Sequence, residues 1–179
     1  VSSAASDVYK RQCTSNVDEA EVKKARQFFE SIFQDQVLDS PEFQASLGYK
    51  SNYDKWDDIT WQKSRERAKK AANDLQFLKK NINYNKIDEN TKISYKLMEK
   101  RLQRTIDSDN FIFHSYPVTH RGGKHSSIPS FLINYHRIDE IQDVKDYIGR
   151  LRNVEPLMDD LMEQLMLRQD VKKLSLIHI

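Results

Sequence analysis

Apolar residues recur every three or four positions along most of the chain. Val22, Ala25, Phe29, Ile32 and Phe33 form one such stripe and predict a helix over residues 18–37. Ala68, Ala72, Leu75, Leu78 and Ile82 predict a second over 60–81, with Lys and Arg covering its other face. Tyr95, Met98, Leu102 and Ile106 line a third over 88–107. Ile141, Val144, Ile148 and Leu151 predict the core face of a fourth helix. Val154, Met158, Leu161 and Leu165 line a fifth, which runs to residue 169. A helical period in every long segment predicts an all-α fold, an antiparallel helix bundle of five main helices.

Cap and turn residues divide these segments. Ser40 before Pro41 reads as an N-cap with Pro at the first helical position. That short helix is expected to stop at Gly48. Residues 49–58 read as a loop pinned to the core by Tyr53 and Trp56. Residues 83–87 form a turn and Asp88 caps the third helix, so the second and third should pack as an antiparallel hairpin. Asp139 and Gln142 resemble a capping box for the fourth helix, and Asn153 with Pro156 marks the break before the fifth.

The period fails over 110–138, the one irregular segment, which contains Gly, Pro and His. It holds Pro117, Gly122, Gly123 and Pro129, half of the glycine and proline in the chain, and four of the five histidines. Residues 110–118 read as extended, with a short helix as the alternative. Gly122-Gly123 reads as a turn where backbone can approach another group closely.

Charge narrows the partners. Lys and Arg number 29 against 27 Asp and Glu, interspersed along the helices as on a solvated surface. That balance argues against nucleic acid as the main partner. No apolar run reaches the roughly 18 residues of a membrane span. The single cysteine, Cys13, excludes an internal disulfide and a cysteine metal cluster.

Candidate chemistry is confined to the irregular segment. His120 and His125 are five apart across the glycines, which fits no standard metal pair, and no metal ligand is expected. No His-Glu-x-x-His, Gly-x-Ser-x-Gly, phosphate loop or dinucleotide fingerprint occurs in residues 13–173, and no catalytic residue is expected. Thr119, His120, Arg121, Lys124 and His125 put cationic donors beside backbone N–H groups, an arrangement that suits a carboxylate or another anion. His136 and Arg137, with Asp139 close by, read as a hydrogen-bonded cluster. Met158, Met162 and Met166 repeat at helical spacing and read as core packing rather than a metal box.

The two ends read differently from the rest. Residues 2–12 match the translation of a transposase sequencing adapter, and 174–179 the opposite end read through. Residues 1–12 are therefore expected to be a non-native leader and 174–179 a non-native tail, leaving 13–173 as a piece of a larger gene product. Cys13 followed by a polar stretch would suit the lipidated first residue of a bacterial lipoprotein; an unremarkable cysteine is the alternative.

Ser40-Pro41-Glu42-Phe43 with Leu47-Gly48 resembles the opening of domain-of-unknown-function family 885. Tyr116-Pro117-Val118, then Gly123-x-His125-Ser126-x-Ile128-Pro129-Ser130-Phe131-Leu132-Ile133-Asn134-x-His136-Arg137-Ile138, is similar to that family's central N-terminal motif. Asp143-x-x-Asp146-Tyr147-Ile148-x-Arg150-Leu151 resembles its following helix. Members usually carry Asn-Gln before the glycines, where this chain has Thr119-His120. The resemblance implies a mostly helical bacterial protein, exported or lipid-anchored, hence periplasmic or on the outer membrane, with the cytoplasm as the alternative. It implies a zinc site like that of helical metallopeptidases in a C-terminal half that lies beyond this chain. This chain would then wall one side of the cleft, bind no zinc or other cofactor and be inactive alone. Its partners would be that half and a peptide substrate, which His120, Arg121, Gly122, Gly123, His125, His136 and Arg137 are candidates to contact. A non-catalytic helical lipoprotein or interaction module is the alternative.

Overall fold

The computed structural model describes residues 17–170. The expected leader, Cys13 and the expected tail lie outside the described residues. Helix α1 is Glu19–Asp39, α2 Pro41–Ser46, α3 Trp61–Asn81, α4 Glu89–Asp109, α5 Lys124–Asn134, α6 Ile141–Arg152 and α7 Val154–Asp170. Two-residue strands β1 (Val118–Thr119) and β2 (Gly122–Gly123) pair antiparallel between α4 and α5. The fold is all-α. The chain divides into two compact units, one from residues up to 32 with 69–106, the other from 33–68 with residues from 107 onward.

In the first unit the stripes meet as their spacing requires. Ala25 and Ile32 of α1, Ala71, Leu75 and Leu78 of α3, and Tyr95 and Leu102 of α4 share one core with Ile82 and Ile87. The α3 stripe passes through Ala71, whereas Ala72, the expected position, is exposed. Asp88 caps α4: its carboxylate accepts from the Thr91 N–H at 2.9 Å and the Thr91 hydroxyl at 2.8 Å. Arg26 reaches the same carboxylate at 3.2 Å, tying α1 to that cap.

In the second unit α2 begins and ends as the sequence predicts. The Ser40 hydroxyl accepts from the Phe43 N–H at 3.0 Å, and Pro41 follows it. Gly48 adopts φ 86°, while the N–H groups of Gly48 and Tyr49 donate to the Ala45 and Gln44 carbonyls at 3.0 and 2.9 Å. That pairing is the Schellman stop, and its left-handed residue favours glycine. Tyr53 and Trp56 do pin their loop: Tyr53 packs with Ala45 and Phe131, and Trp56 joins the cluster of Ile128, Leu132 and Leu157.

The segment expected to be irregular is more ordered than its composition predicts. Residues 110–115 are neither extended nor helical but a run of turns, with the His114 N–H donating to the Phe111 carbonyl at 2.9 Å. Arg168 of α7 fixes this run by donating to the carbonyls of Ile112 and Ser115, both at 3.1 Å. Residues 124–134 are helix α5. Pro129 lies inside it and cannot donate to the His125 carbonyl, which is why the sequence reads as broken there. Burial of Ile128, Phe131 and Leu132 at helical spacing outweighs that lost bond.

Helix α6 departs most from expectation. Its predicted core face points outward: Ile141 is 79% exposed, Val144 41%, Ile148 43% and Leu151 46%. The buried residues are Asp143 and Arg150. The N-cap is Glu140, not Asp139, and the Asp143 carboxylate accepts from the N–H groups of Asp139 and Glu140 at 2.8 and 2.9 Å. Hydrophobic periodicity identifies a face but not what meets it; polar bonds set the rotation of this helix instead. In α7 the buried set is Leu157, Leu161, Gln164 and Arg168, with Val154 and Met158 packed at its edge. Met162 and Met166 are exposed, so of the methionine series only Met158 packs.

Candidate functional site

Two places gather the candidate residues, and they differ in character. The first is the β1–β2 hairpin. Val118 pairs with Gly123 and Thr119 with Gly122, so His120 and Arg121 form the two-residue tip, both exposed. The Thr119 hydroxyl donates to the Gly122 carbonyl at 3.2 Å and accepts from the Arg121 N–H at 3.3 Å, which closes the turn. Gly123 leads directly into α5 with φ 155°. A Cβ there would stand 3.0 Å from the Pro117 carbonyl oxygen and 3.1 Å from Nδ1 of His125. Only glycine lets the hairpin turn into the helix so tightly. His125, exposed in the first turn of α5, therefore lies against the glycine end of the hairpin. Lys124 is anchored elsewhere, on the Glu42 carboxylate at 2.5 Å.

The structure thus brings His120, Arg121, Gly122, Gly123 and His125 to one corner. Exposed imidazole and guanidinium donors stand beside glycine backbone. Such a corner can hold a carboxylate or a peptide carbonyl.

His136 is placed differently. It is buried, stacked on Tyr53 at 4.1 Å between ring centroids, with Tyr147 edge-on at 5.2 Å. Its Nδ1 accepts from Arg150 at 2.9 Å and its Nε2 lies 3.0 Å from the Asp143 carbonyl oxygen. Both ring nitrogens are taken by protein partners. Burial, with the Arg150 cation beside it, lowers the His136 pKa from its ordinary value. Arg137 is exposed, and its backbone N–H donates to the Tyr53 hydroxyl at 2.7 Å.

Arg150 is the centre of this second cluster. It is fully buried, and it donates to the Lys55 carbonyl at 3.0 Å as well as to His136. Its guanidinium lies 5.1, 5.4 and 4.8 Å from the ring centroids of Tyr53, Trp56 and Phe131. Trp56 in turn donates from its indole N–H to the Arg150 carbonyl at 2.9 Å. This is an aromatic cage filled by the protein's own cation. Asp143 stands next to it, its carboxylate accepting from Lys50 at 2.7 Å. The Lys50 bond and the two backbone N–H groups hold the Asp143 pKa at about 2, and Lys50 is raised in return.

The sequence pattern gave Tyr53 a role only as a loop anchor, placed Asp143 and Arg150 only within a family-like helix, and gave Lys50 none. A charged residue on a helix reads as solvent-facing, and the usable signal was that the apolar and charged faces of α6 had no independent evidence for which is inside. Among the described residues no group of three or more His, Cys, Asp or Glu side chains is placed to hold a metal ion. No described helix is long and apolar enough to cross a membrane.

No curated protein and no solved structure matches the chain. The family model described as bacterial protein of unknown function, DUF885, matches residues 41–175, a span that takes in α2, the hairpin and the Arg150 cluster. The chain belongs to the DUF885 family.

Proposed function

We propose that this chain is the N-terminal helical part of a larger zinc peptidase-like hydrolase, and that its hairpin corner faces the substrate. The observation that carries this reading is the corner itself: His120 and Arg121 at an exposed two-residue tip, with Gly123 packed so closely that no side chain fits. Those donors suit the carbonyls or the terminal carboxylate of a peptide. Zinc, in this reading, belongs to a C-terminal half beyond this chain, as the resemblance to the family implies. The partners in this reading are that half and the peptide. Cys13 would be the lipidated residue of an exported protein, held at the membrane only through that anchor.

The test is to recover the native gene beyond residue 173, express the longer protein without the expected adapter-derived ends, and measure bound zinc and peptide hydrolysis. A His-Glu-x-x-His in the extension, about one zinc per chain and hydrolysis that this chain alone lacks would support the reading. An extension without that motif and without activity would sink it. It would favour the second reading, a non-catalytic helical lipoprotein or interaction module. The outward apolar face of α6 is the observation on that side.

A further inference from the structure

The outward face of α4 joins exposed aliphatic side chains to unpaired cations. Ile93 and Leu97 are 60% and 65% exposed. Lys100 and Arg104 continue the same face at helical spacing, both exposed. Thr91, Tyr95 and Leu102, on the opposite side of the helix, are buried and fix this rotation. Over residues 90–106 the helix carries Lys92, Lys96, Lys100, Arg101 and Arg104 against Glu99 alone, with Glu89 and Asp107 beyond the two ends. Glu99 is already paired, with Lys79 at 3.5 Å and Lys96 at 3.3 Å. Lys100 and Arg104 meet no acid among the described residues. We propose that this face docks on an anionic lipid surface. Ile93 and Leu97 enter the boundary of the acyl chains, and Lys100 and Arg104 lie on the headgroup phosphates. The inference goes beyond the peptidase-like reading and does not rest on it. It adds a second hold on the membrane to the anchor of that reading, and it needs no anchor.

Two features choose this occupant. The first is the mixture on one line of the helix. A bilayer surface takes both kinds of side chain, because its phosphates lie just outside the acyl boundary. The core of a protein interface is depleted in lysine, so the remainder of a longer protein would bury Lys100 beside Leu97 at a cost. A second copy would set these cations against their own kind. Nucleic acid would use the cations but offers nothing to Ile93 and Leu97, and none of these four residues has a ring to stack on bases. The second feature is that the excess of charge is local. The whole chain is almost balanced, 29 Lys and Arg against 27 Asp and Glu, so the cations of α4 do not merely follow the composition. Two inserting side chains make a shallow contact, so binding is reversible and weakens with salt.

Co-sedimentation of the 179-residue chain with lipid vesicles tests this. Phosphatidylcholine vesicles with about 30% phosphatidylglycerol should bind it at low salt, and phosphatidylcholine alone should not. Raising salt from about 0.05 to about 0.5 M should release it. Lys100→Glu with Arg104→Glu should weaken binding by about ten-fold or more, since two attractions become repulsions. Ile93→Ser with Leu97→Ser should weaken it by about ten-fold, with circular dichroism unchanged because both residues are exposed. Lys145→Glu with Arg152→Glu makes the same change of charge at exposed positions of α6 and should leave binding within about two-fold. In the longer protein the Lys100 and Arg104 substitutions should weaken binding to the same degree. No binding, or binding that the α4 substitutions leave unchanged, would overturn the proposal. So would equal losses from the two charge reversals, or a longer protein that fails to bind because its remainder covers α4.

Discussion

Arg150 donates from Nη1 to Nδ1 of His136 at 2.9 Å, and this bond decides the state of the histidine. A guanidinium can only donate, so Nδ1 must accept. The proton of the neutral ring therefore sits on Nε2, where it donates to the Asp143 carbonyl at 3.0 Å. A second proton would have to enter on Nδ1, against a cation already in contact.

Acid should weaken the second unit through His136. Its folded pKa lies below the ordinary value of 6.5, through burial first and Arg150 second. The groups facing the ring are Tyr53, Tyr147, Arg150 and Asp143, with Asp146 further off. Below the unfolded pKa the unfolded chain binds a proton that the folded chain refuses. The contribution is therefore complete above about pH 6.5 and is lost as pH falls toward the folded value, by at most about tenfold in the folding constant per pH unit. Asp143 acts in a separate window: its pKa is lowered from 3.8 to about 2, so its contribution is lost only as pH falls through that range. Urea midpoints measured from pH 8 to pH 3 should show the first loss in the parent and not in His136→Gln. An identical pH profile in that variant would remove His136 as the cause.

Arg150→Leu should be among the most damaging single changes in the chain. It keeps apolar bulk but strands the buried Nδ1 of His136 and the half-buried Lys55 carbonyl, both partners of the guanidinium. Stranding buried acceptors costs about 1–3 kcal/mol each, so a loss of about 3 kcal/mol is expected in urea unfolding. Arg150→Lys should recover little of it, since an ammonium cannot span the same acceptors within the cage. A loss below about 1 kcal/mol for Arg150→Leu would mean that the cage tolerates an apolar occupant.

These two residues also mark how far the sequence could be read. The helices were legible because Ala25, Ile32, Leu75, Leu78, Tyr95 and Leu102 meet one another in a core, which is what a helical stripe predicts. The cap at Ser40 and the stop at Gly48 were legible because their conformations demand particular residues. The rotation of α6 was not, because its stripe stays exposed or half-exposed while Asp143 and Arg150 are buried on polar partners. Helix α5 was hidden by Pro129 and the preceding glycines, although Ile128, Phe131 and Leu132 carry the period. At the hairpin the sequence supplied the residue types, and pairing of Val118 with Gly123 supplied the geometry.

Gly123→Ala should separate geometry from chemistry at the hairpin. The added Cβ would meet the Pro117 carbonyl oxygen at 3.0 Å and the Val118 Cα at 3.1 Å, both backbone atoms that cannot swing away. The φ of 155° adds strain for any residue with a Cβ. A destabilisation of more than about 1 kcal/mol is expected in urea unfolding. Gly122→Ala has only the Ser126 hydroxyl oxygen near, at 3.9 Å, and should cost markedly less. Equal losses at the two positions would contradict the tight entry into α5.

Arg121→Ala tests whether the corner contacts substrate. Arg121 is exposed at the hairpin tip, and the bonds that close the turn use its backbone N–H, not its guanidinium. The substitution should therefore leave the stability of this chain unchanged. In the longer protein proposed above, a guanidinium that holds a peptide carboxylate or carbonyl contributes about 1.5–3 kcal/mol, so kcat/KM should fall by roughly ten-fold or more. Zinc content should be unaffected. Arg121→Lys should restore only part of the activity, because a single ammonium cannot reproduce the two-pronged contact. Loss of zinc in Arg121→Ala would make the hairpin a support for the metal site. Full activity would make it a connector between β1 and α5 and nothing more.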